Sequence, residues 1–357
     1  MRARRKPEDR SLIKAIDFFC GAGGLTRGLL DAGISVVAGL DNDERIRKTY
    51  ESNNRPSRFI AADIRKVNIG ALREELGISP KEPTLYAACT PCQPFSTLNT
   101  MRAADGRKSL LLNFAALVDQ SPPDFIIVEN VPGLEKSVGK EIYEEFKKTL
   151  DRHGFQFDAK MLDAKDFGVP QTRKRFLLVA SRHGLPFLPL PTSKERFKTV
   201  GDAIRRFPAI AHGERTDCHK NHVAREMLPH HLRIVEAVPV DGGSRRDVAD
   251  TSILLKCHQK NPKAHKDVFG RMSWDLPAPT LTCRCTDVYC GRFIHPEQHR
   301  GISLREAAAL QTFGDEYEFF GGSMLELARQ IGNAVPVRLA KLLGDSVVQA
   351  QAGQSTP

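Results

Sequence analysis

Five short apolar runs in the first half of the chain each lead into a polar or reactive residue. Residues 13–19 contain Asp17 and run into Cys20. Residues 34–40 end at Asp41 and residues 59–62 at Asp63. Residues 84–88 precede Cys89 and Cys92, and residues 125–128 precede Glu129. Amphipathic stretches at 25–32, 45–52, 110–118 and 141–153 read as helices, and 175–180 reads as a further strand. Strands alternating with helices predict an α/β fold, a doubly wound, mostly parallel sheet with helices on both faces. Ligands of such sheets bind outside the carboxyl ends of the strands. Five polar or reactive positions along that one edge are hard to explain by core packing.

The chain has 357 residues, so a large domain with a smaller one is expected. The alternating pattern covers 12–185 and resumes over 303–348, where Ser303 is placed to cap a helix at 304–312 and a last helix is read at 338–348. Residues 186–302 lack the alternation. They are rich in Pro, His and Arg, carry turn signals such as Asp241-Gly242-Gly243-Ser244, and read as the smaller domain. Residues 1–11 read as a basic tail and 349–357 as a frayed one.

Lys and Arg number 53 against 43 acidic residues, a formal net charge of +10, which fits a polyanionic partner. No apolar run is long enough to span a membrane, and no signal-peptide core follows the basic N-terminus. The eight cysteines are scattered, so reduced thiols in a cytosol are expected and a disulfide framework is not.

Four segments carry chemistry. In Asp17-Phe18-Phe19-Cys20-Gly21-Ala22-Gly23-Gly24, glycines between a strand and a helix allow close approach of a ligand to the backbone. The spacing is not the dinucleotide one, and Phe19 could stack on an adenine ring. Asp41 at the next strand end is placed to accept from ribose hydroxyls, or to start a helix. In Thr90-Pro91-Cys92-Gln93-Pro94-Phe95-Ser96, a cysteine after a strand in a Pro-rich turn is open to a substrate and nucleophilic as its thiolate. Cys89 and Cys92 also spell a redox dithiol or half a zinc site, but no thioredoxin-like unit and no second C-x-x-C accompany them. In Glu129-Asn130-Val131-Pro132-Gly133, a carboxylate at a partly desolvated edge suits acid catalysis, and taken alone reads equally as a capping or ion-paired acid. Gln171-Thr172-Arg173-Lys174-Arg175 is a basic cluster before a strand.

In this order, the segments resemble the cytosine-5 methyltransferase family. Phe19 to Gly23 is similar to its first cofactor motif, Pro91-Cys92-Gln93 to its nucleophile motif, Glu129-Asn130-Val131 to its Glu-Asn-Val motif and Gln171 to Arg175 to its Gln-x-Arg-x-Arg motif. Arg305 to Phe313, with Gln311, resembles the motif that supports the target domain, and Gly332-Asn333-Ala334-Val335-Pro336 the last motif. Two positions depart from the pattern, Cys20 within the glycine turn and Gly314 after Phe313.

The resemblance implies an S-adenosylmethionine-dependent methyltransferase fold with a target-recognition domain at 186–302. It implies that Cys92 attacks carbon 6 of a cytosine extruded from duplex DNA, that Glu129 protonates ring nitrogen 3, and that Arg175 holds the carbonyl oxygen with Arg173 in support. S-adenosyl-L-methionine is expected against Phe19, Gly21, Gly23, Asp41, Asp63 and Asn333. The stretch from Ser96 through Asp105-Gly106-Arg107 to Leu110 resembles the mobile catalytic loop. Arg205, Arg206, Arg245, Arg246, Arg271, Arg284 and Arg292 are expected on phosphates or guanine edges. Cys283, Cys285 and Cys290, with Cys257-His258, match no standard zinc finger, and no metal is expected. The chain is expected to be a monomer in a bacterial or archaeal cytosol, with a cognate restriction endonuclease acting separately. A tRNA cytosine-5 methyltransferase, sharing nearly every catalytic residue, is the alternative. A catalytically idle DNA-binding relative is disfavoured by the intact Cys92, Glu129 and Arg175.

Overall fold

The computed structural model describes residues 12–90, 110–135, 138–191 and 196–353. Cys92 and the segment expected to be the mobile loop, up to residue 109, lie outside the described residues, as does the basic tail at 1–11.

Seven described strands form one sheet: β1 (Lys14–Phe18), β2 (Ser35–Asp41), β3 (Arg58–Ala61), β4 (Thr84–Cys89), β5 (Phe125–Asn130), β6 (Gln156–Asp163) and β7 (Lys174–Ser181). Their order is β3-β2-β1-β4-β5-β7-β6. The first five pair in parallel, while β7 runs antiparallel to both β5 and β6. The strand order reverses between β1 and β4, so this is where a crevice opens at the strand ends.

Side chains alternate across the sheet, and each face has its own core. Ile16, Phe18, Tyr86, Val128 and Leu178 bury against α4 (Leu110–Gln120) and α5 (Val138–Arg152) through Phe114, Phe146 and Leu150. Ala15, Leu85, Ile127, Leu177 and Val179 bury on the other face against α1 (Gly24–Asp31) and α11 (Val337–Gly353) through Leu29, Leu339 and Leu343. Gly28 permits this close pairing, because a Cβ there would lie 2.4 Å from Ala340 Cβ. Helix α11 runs on to Gly353, which corrects the expectation of a frayed tail from 349: Ala350 packs onto the core beneath it.

Apart from Leu188, which joins the core beneath α1 and α11, residues 186–302 divide between two cores. Helix α6 (Val200–Ile204) shares a core with α9 (Leu304–Leu310) and α10 (Met324–Asn333) that also takes in Ala22 of the glycine turn. A smaller core gathers Ile234, Val235, Val248, Phe269, Val288 and Ile294. Ser303 caps α9 as expected, accepting from Glu306 N while Glu306 accepts from Ser303 N. Among the described residues no helix is long and apolar enough to cross a membrane.

Candidate active site

The glycine turn leaves β1 with Phe19, Gly21 and Gly23 all in the left-handed region, at φ 61°, 53° and 90°. Space around the two glycines differs. A Cβ on Gly21 would meet nothing within 4 Å, whereas one on Gly23 would lie 2.3 Å from Asn54 Nδ2. The turn is braced from two distant loops: Tyr317 donates its hydroxyl to Ala22 O and accepts from Asn54 Nδ2 at 2.9 Å.

Asp41, the last residue of β2, accepts from Gly21 N at 3.0 Å through Oδ2 and from Asp43 N at 3.0 Å through Oδ1. Burial raises its carboxyl above the ordinary range. Asp43, two residues on, is the helix-start carboxylate, which leaves Asp41 with a different task. Asp63 caps the short turn after β3 and is pulled down to about 2 by its hydrogen bond to the Arg65 guanidinium. Asn333 is exposed at the end of α10, and Val335 O packs where a Cβ on Gly24 would stand, 2.4 Å away. Phe19, Gly21, Asp41 and Asp63 therefore line up along the ends of β1, β2 and β3, while the 333–336 loop folds back onto the start of α1.

Beneath the turn, Asp17 is fully buried, accepting from Thr26 Oγ1 at 2.6 Å. Thr26 in turn meets Tyr50 Oη at 2.9 Å, and Tyr50 meets Ser57 Oγ at 2.7 Å. Burial pushes Asp17 up to about 7.

The second cluster sits at the ends of β4 and β5. Glu129 is 3% exposed and stands in register with Cys89. Its Oε1 lies 2.9 Å from Arg175 Nε, and its Oε2 accepts from the Cys89 thiol at 2.9 Å. Burial, then the neighbouring carboxylate, pushes that thiol well above its ordinary range. A protonated donor of this kind is a poor partner in a redox dithiol. Asn130 donates to Thr90 Oγ1 at 2.7 Å, which fixes the residue from which the chain continues to Pro91 and Cys92.

Arg173 does not stand with Arg175 over the carboxylate as a base-binding group. It is 3% exposed, and its guanidinium donates to Leu281 O at 3.0 Å, Gly332 O at 3.2 Å and Ala334 O at 3.2 Å. Burial, then the Arg175 charge, lowers it to about 9, still cationic at neutral pH. Its two terminal nitrogens, though not Nε, are engaged by loop carbonyls, so it acts through the loops.

Of the arginines expected on phosphates or guanine edges, Arg271 and Arg245 are engaged inside the protein instead. Arg271 is fully buried and donates to the carbonyls of Val235, Val238, His295 and Gln298. Arg245, 1% exposed, donates to His265 O and Val268 O. Arg292 serves the carbonyls of Gly242, Gly243 and Arg271, and Arg284 pairs with Asp287 at 2.7 Å. A backbone with few strand ladders leaves carbonyls unpaired inside, and a guanidinium with five donors satisfies several at once. Arg205, stacked on Trp274, and Arg206 and Arg246 stay on the surface. Among the described residues no group of three or more His, Cys, Asp or Glu is placed to hold a metal.

Sequence reasoning missed Tyr317, Asn54 and the Thr26–Tyr50 pair. None stands in a recognisable spacing with the turn it braces.

The model of the C-5 cytosine-specific DNA methylases matches residues 13–349. The Type II methylase M.HgiDII of Herpetosiphon aurantiacus is 36% identical over 338 residues, covering 93% of this chain and 94% of that protein. The Type II methyltransferase M1.BsuMI of Bacillus subtilis is 30% identical, with 96% and 83% covered. Among solved structures, a putative DNA modification methyltransferase encoded within a prophage of E. coli superposes with a TM-score of 0.69 at 22% identity, covering 94% of this chain and 99% of that one. The Entamoeba histolytica methyltransferase EhMeth gives 0.62 at 17%, with 95% and 98% covered. The chain belongs to the C-5 cytosine-specific DNA methylase family.

Proposed function

We propose that this DNA cytosine-5 methyltransferase takes its methyl group from S-adenosyl-L-methionine, bound along the ends of β1 to β3, and that Cys92, Glu129 and Arg175 act on the base. The observation that carries the reading is Glu129, a buried carboxylate held by Arg175 at the sheet edge, one strand over from the stem that leads to Cys92.

The turn suits an adenosyl group. Phe19 offers a ring beside an open glycine, Asp41 has carboxylate lone pairs for ribose hydroxyls, and Gly23, Asp63 and Asn333 would help to hold the rest of the group. When bound, the donor supplies an electrophilic methyl.

Carbon 5 of cytosine is a poor nucleophile. Addition of the Cys92 thiolate to carbon 6 forms a C–S bond and pushes electrons into the ring. Glu129 delivers a proton to nitrogen 3, which discharges them and leaves carbon 5 enamine-like. After carbon 5 accepts the methyl, loss of its proton and elimination of Cys92 restore the aromatic ring, and Glu129 recovers the proton from nitrogen 3. Arg175 orients the base and Glu129 together, while Arg173 supports both through the loops it ties. The base must leave the helix stack to reach these groups.

Residues 186–302 are the target-recognition region in this reading, with 12–185 and 303–348 forming the catalytic unit. As the relatives are named Type II enzymes, a restriction endonuclease acting separately on the same sequence is the expected companion, with the protein a cytoplasmic monomer.

Bisulfite sequencing of a methylation-free host that expresses the chain tests the reading. Wild type is expected to mark one duplex motif, Cys92→Ala none, and 5-fluorocytosine DNA is expected to trap a covalent adduct only with Cys92 present. A tRNA methylated in preference to duplex DNA, or an adduct that survives Cys92→Ala, overturns it.

A further inference from the structure

Cys89 is the last residue of β4, directly in register with Glu129 on β5. Its Sγ lies 2.9 Å from Glu129 Oε2, with the thiol as donor. The other carboxylate oxygen faces Arg175 Nε at 2.9 Å. Each oxygen thus has one donor, from the strand on either side of β5. A glutamate side chain held at one oxygen alone can still swing about its terminal torsion; held at both, its carboxylate plane is set.

The thiol is suited to this task and to little else. Burial and the adjacent carboxylate keep it protonated. A hydrogen bond to a carboxylate oxygen is charge-assisted, so it is short and directional. The charged or titratable groups around the pair are Arg175 from β7, Arg173 just before it and Asp17 from β1. The two arginines attract the carboxylate from one side, and Cys89 alone contacts it from β4.

We propose that Cys89 is a positioning residue for Glu129, its thiol proton fixing the plane of the carboxylate. The inference rests on the acid role given to Glu129 above. Removing the donor frees Oε2 and lets the side chain rotate. The chemical step then slows through misalignment.

The test is single-turnover methylation of the cognate duplex at saturating S-adenosylmethionine, measured for wild type, Cys89→Ala, Cys89→Ser and Glu129→Gln. Cys89→Ala is expected to be about tenfold slower, with its cofactor and DNA affinities unchanged. Cys89→Ser, nearly isosteric and still a donor, is expected to recover most of the rate. In a Glu129→Gln background, Cys89→Ala is expected to cost nothing further. If Cys89→Ala is unfolded, the Cys89→Ser rate and the thermal melts decide between donor and packing roles. Equal rates for wild type and Cys89→Ala overturn the proposal, as do equal losses in the Ala and Ser variants. If Glu129→Gln itself turns over normally, the acid role falls and this inference with it. If Glu129→Gln is slow while both Cys89 variants are normal, only this inference falls.

Discussion

Gln171 and Gln311 meet amide to amide in the buried interior, Nε2 of Gln171 donating to Oε1 of Gln311 at 2.9 Å. Gln171 Oε1 accepts from Leu281 N, and Gln311 Nε2 donates to Ile331 O and Ala334 O. With Arg173 bonded to Leu281, Gly332 and Ala334, the pair ties together the approach to β7, the end of the 186–302 region and the loop that carries Asn333. Nothing in this knot touches the Glu129 carboxylate, yet it sets where the surrounding loops lie.

Arg173 and Arg175 are therefore expected to fail differently. Arg173→Lys keeps a charge but loses the fork that spans three carbonyls. It should weaken S-adenosylmethionine binding by tenfold or more and destabilise the fold by about 2 kcal/mol. Arg175→Lys should leave cofactor affinity near wild type and slow the chemical step. Calorimetry and single-turnover rates on both variants check this, and identical profiles would show that the two arginines share one role.

The glycine turn gives a second contrast. Gly21→Ala meets open space, so only the left-handed backbone counts, at about 1–2 kcal/mol. Gly23→Ala adds a collision with Asn54 and Tyr317, which raises the cost by about 1–3 kcal/mol. Urea denaturation is expected to rank Gly23→Ala well below Gly21→Ala; the reverse order would remove the brace from the account.

Asp17 makes stability depend on pH. Its folded carboxyl is pushed up to about 7 from an ordinary 3.8. The folded chain thus keeps a proton that the unfolded chain releases, and the contribution, complete below pH 3.8, is lost as pH rises through 7. Wild type should lose stability relative to Asp17→Asn between pH 4 and 8, by at most ~4 kcal/mol. Parallel stability curves for the two proteins over that range would refute it.

Arg271→Ala should unfold part of the 186–302 region without first relaxing its sequence preference, because four carbonyls lose their donor inside that region's core. Hydrogen exchange is expected to show lost protection around 235–238 and 295–298. A variant with native protection and a broadened methylation motif would put Arg271 back on DNA.

The parallel strands were legible because each is an apolar run ended by a polar residue, the pattern of a strand buried on both faces. Strand β6 was not, since Gln156–Asp163 is a partly exposed antiparallel edge carrying Asp158 and Lys160 among its apolar residues. In 186–302 the helices at Val200–Ile204 and Lys256–Lys260 are five residues each, too short to show a helical period, and the one at Pro229–Ala237 is only nine. Within the site, Glu129 and Asp41 were legible from strand ends. The fate of an arginine was not, because the same side chain serves a phosphate, a guanine or four carbonyls, and only the fold decides. Cys89 was legible as a cysteine near Cys92 but not as a donor, since its partner stands 40 residues away on the next strand.

The bond from Tyr317 to Ala22 joins residues 295 positions apart, and α11 closes over α1 from the far end of the chain. A ribosome making this protein therefore delivers the glycine turn first and its braces last, roughly 15–60 s later at ordinary elongation rates. Through that interval the parallel strands can pair, but the turn beside Phe19 has neither Tyr317 beneath it nor the 333–336 loop against it. A chain stopped short of Tyr317, by a nonsense codon or a protease, is left with the catalytic edge and no braced pocket for the donor. Early truncation of this enzyme should thus yield inert fragments and no unregulated methylase.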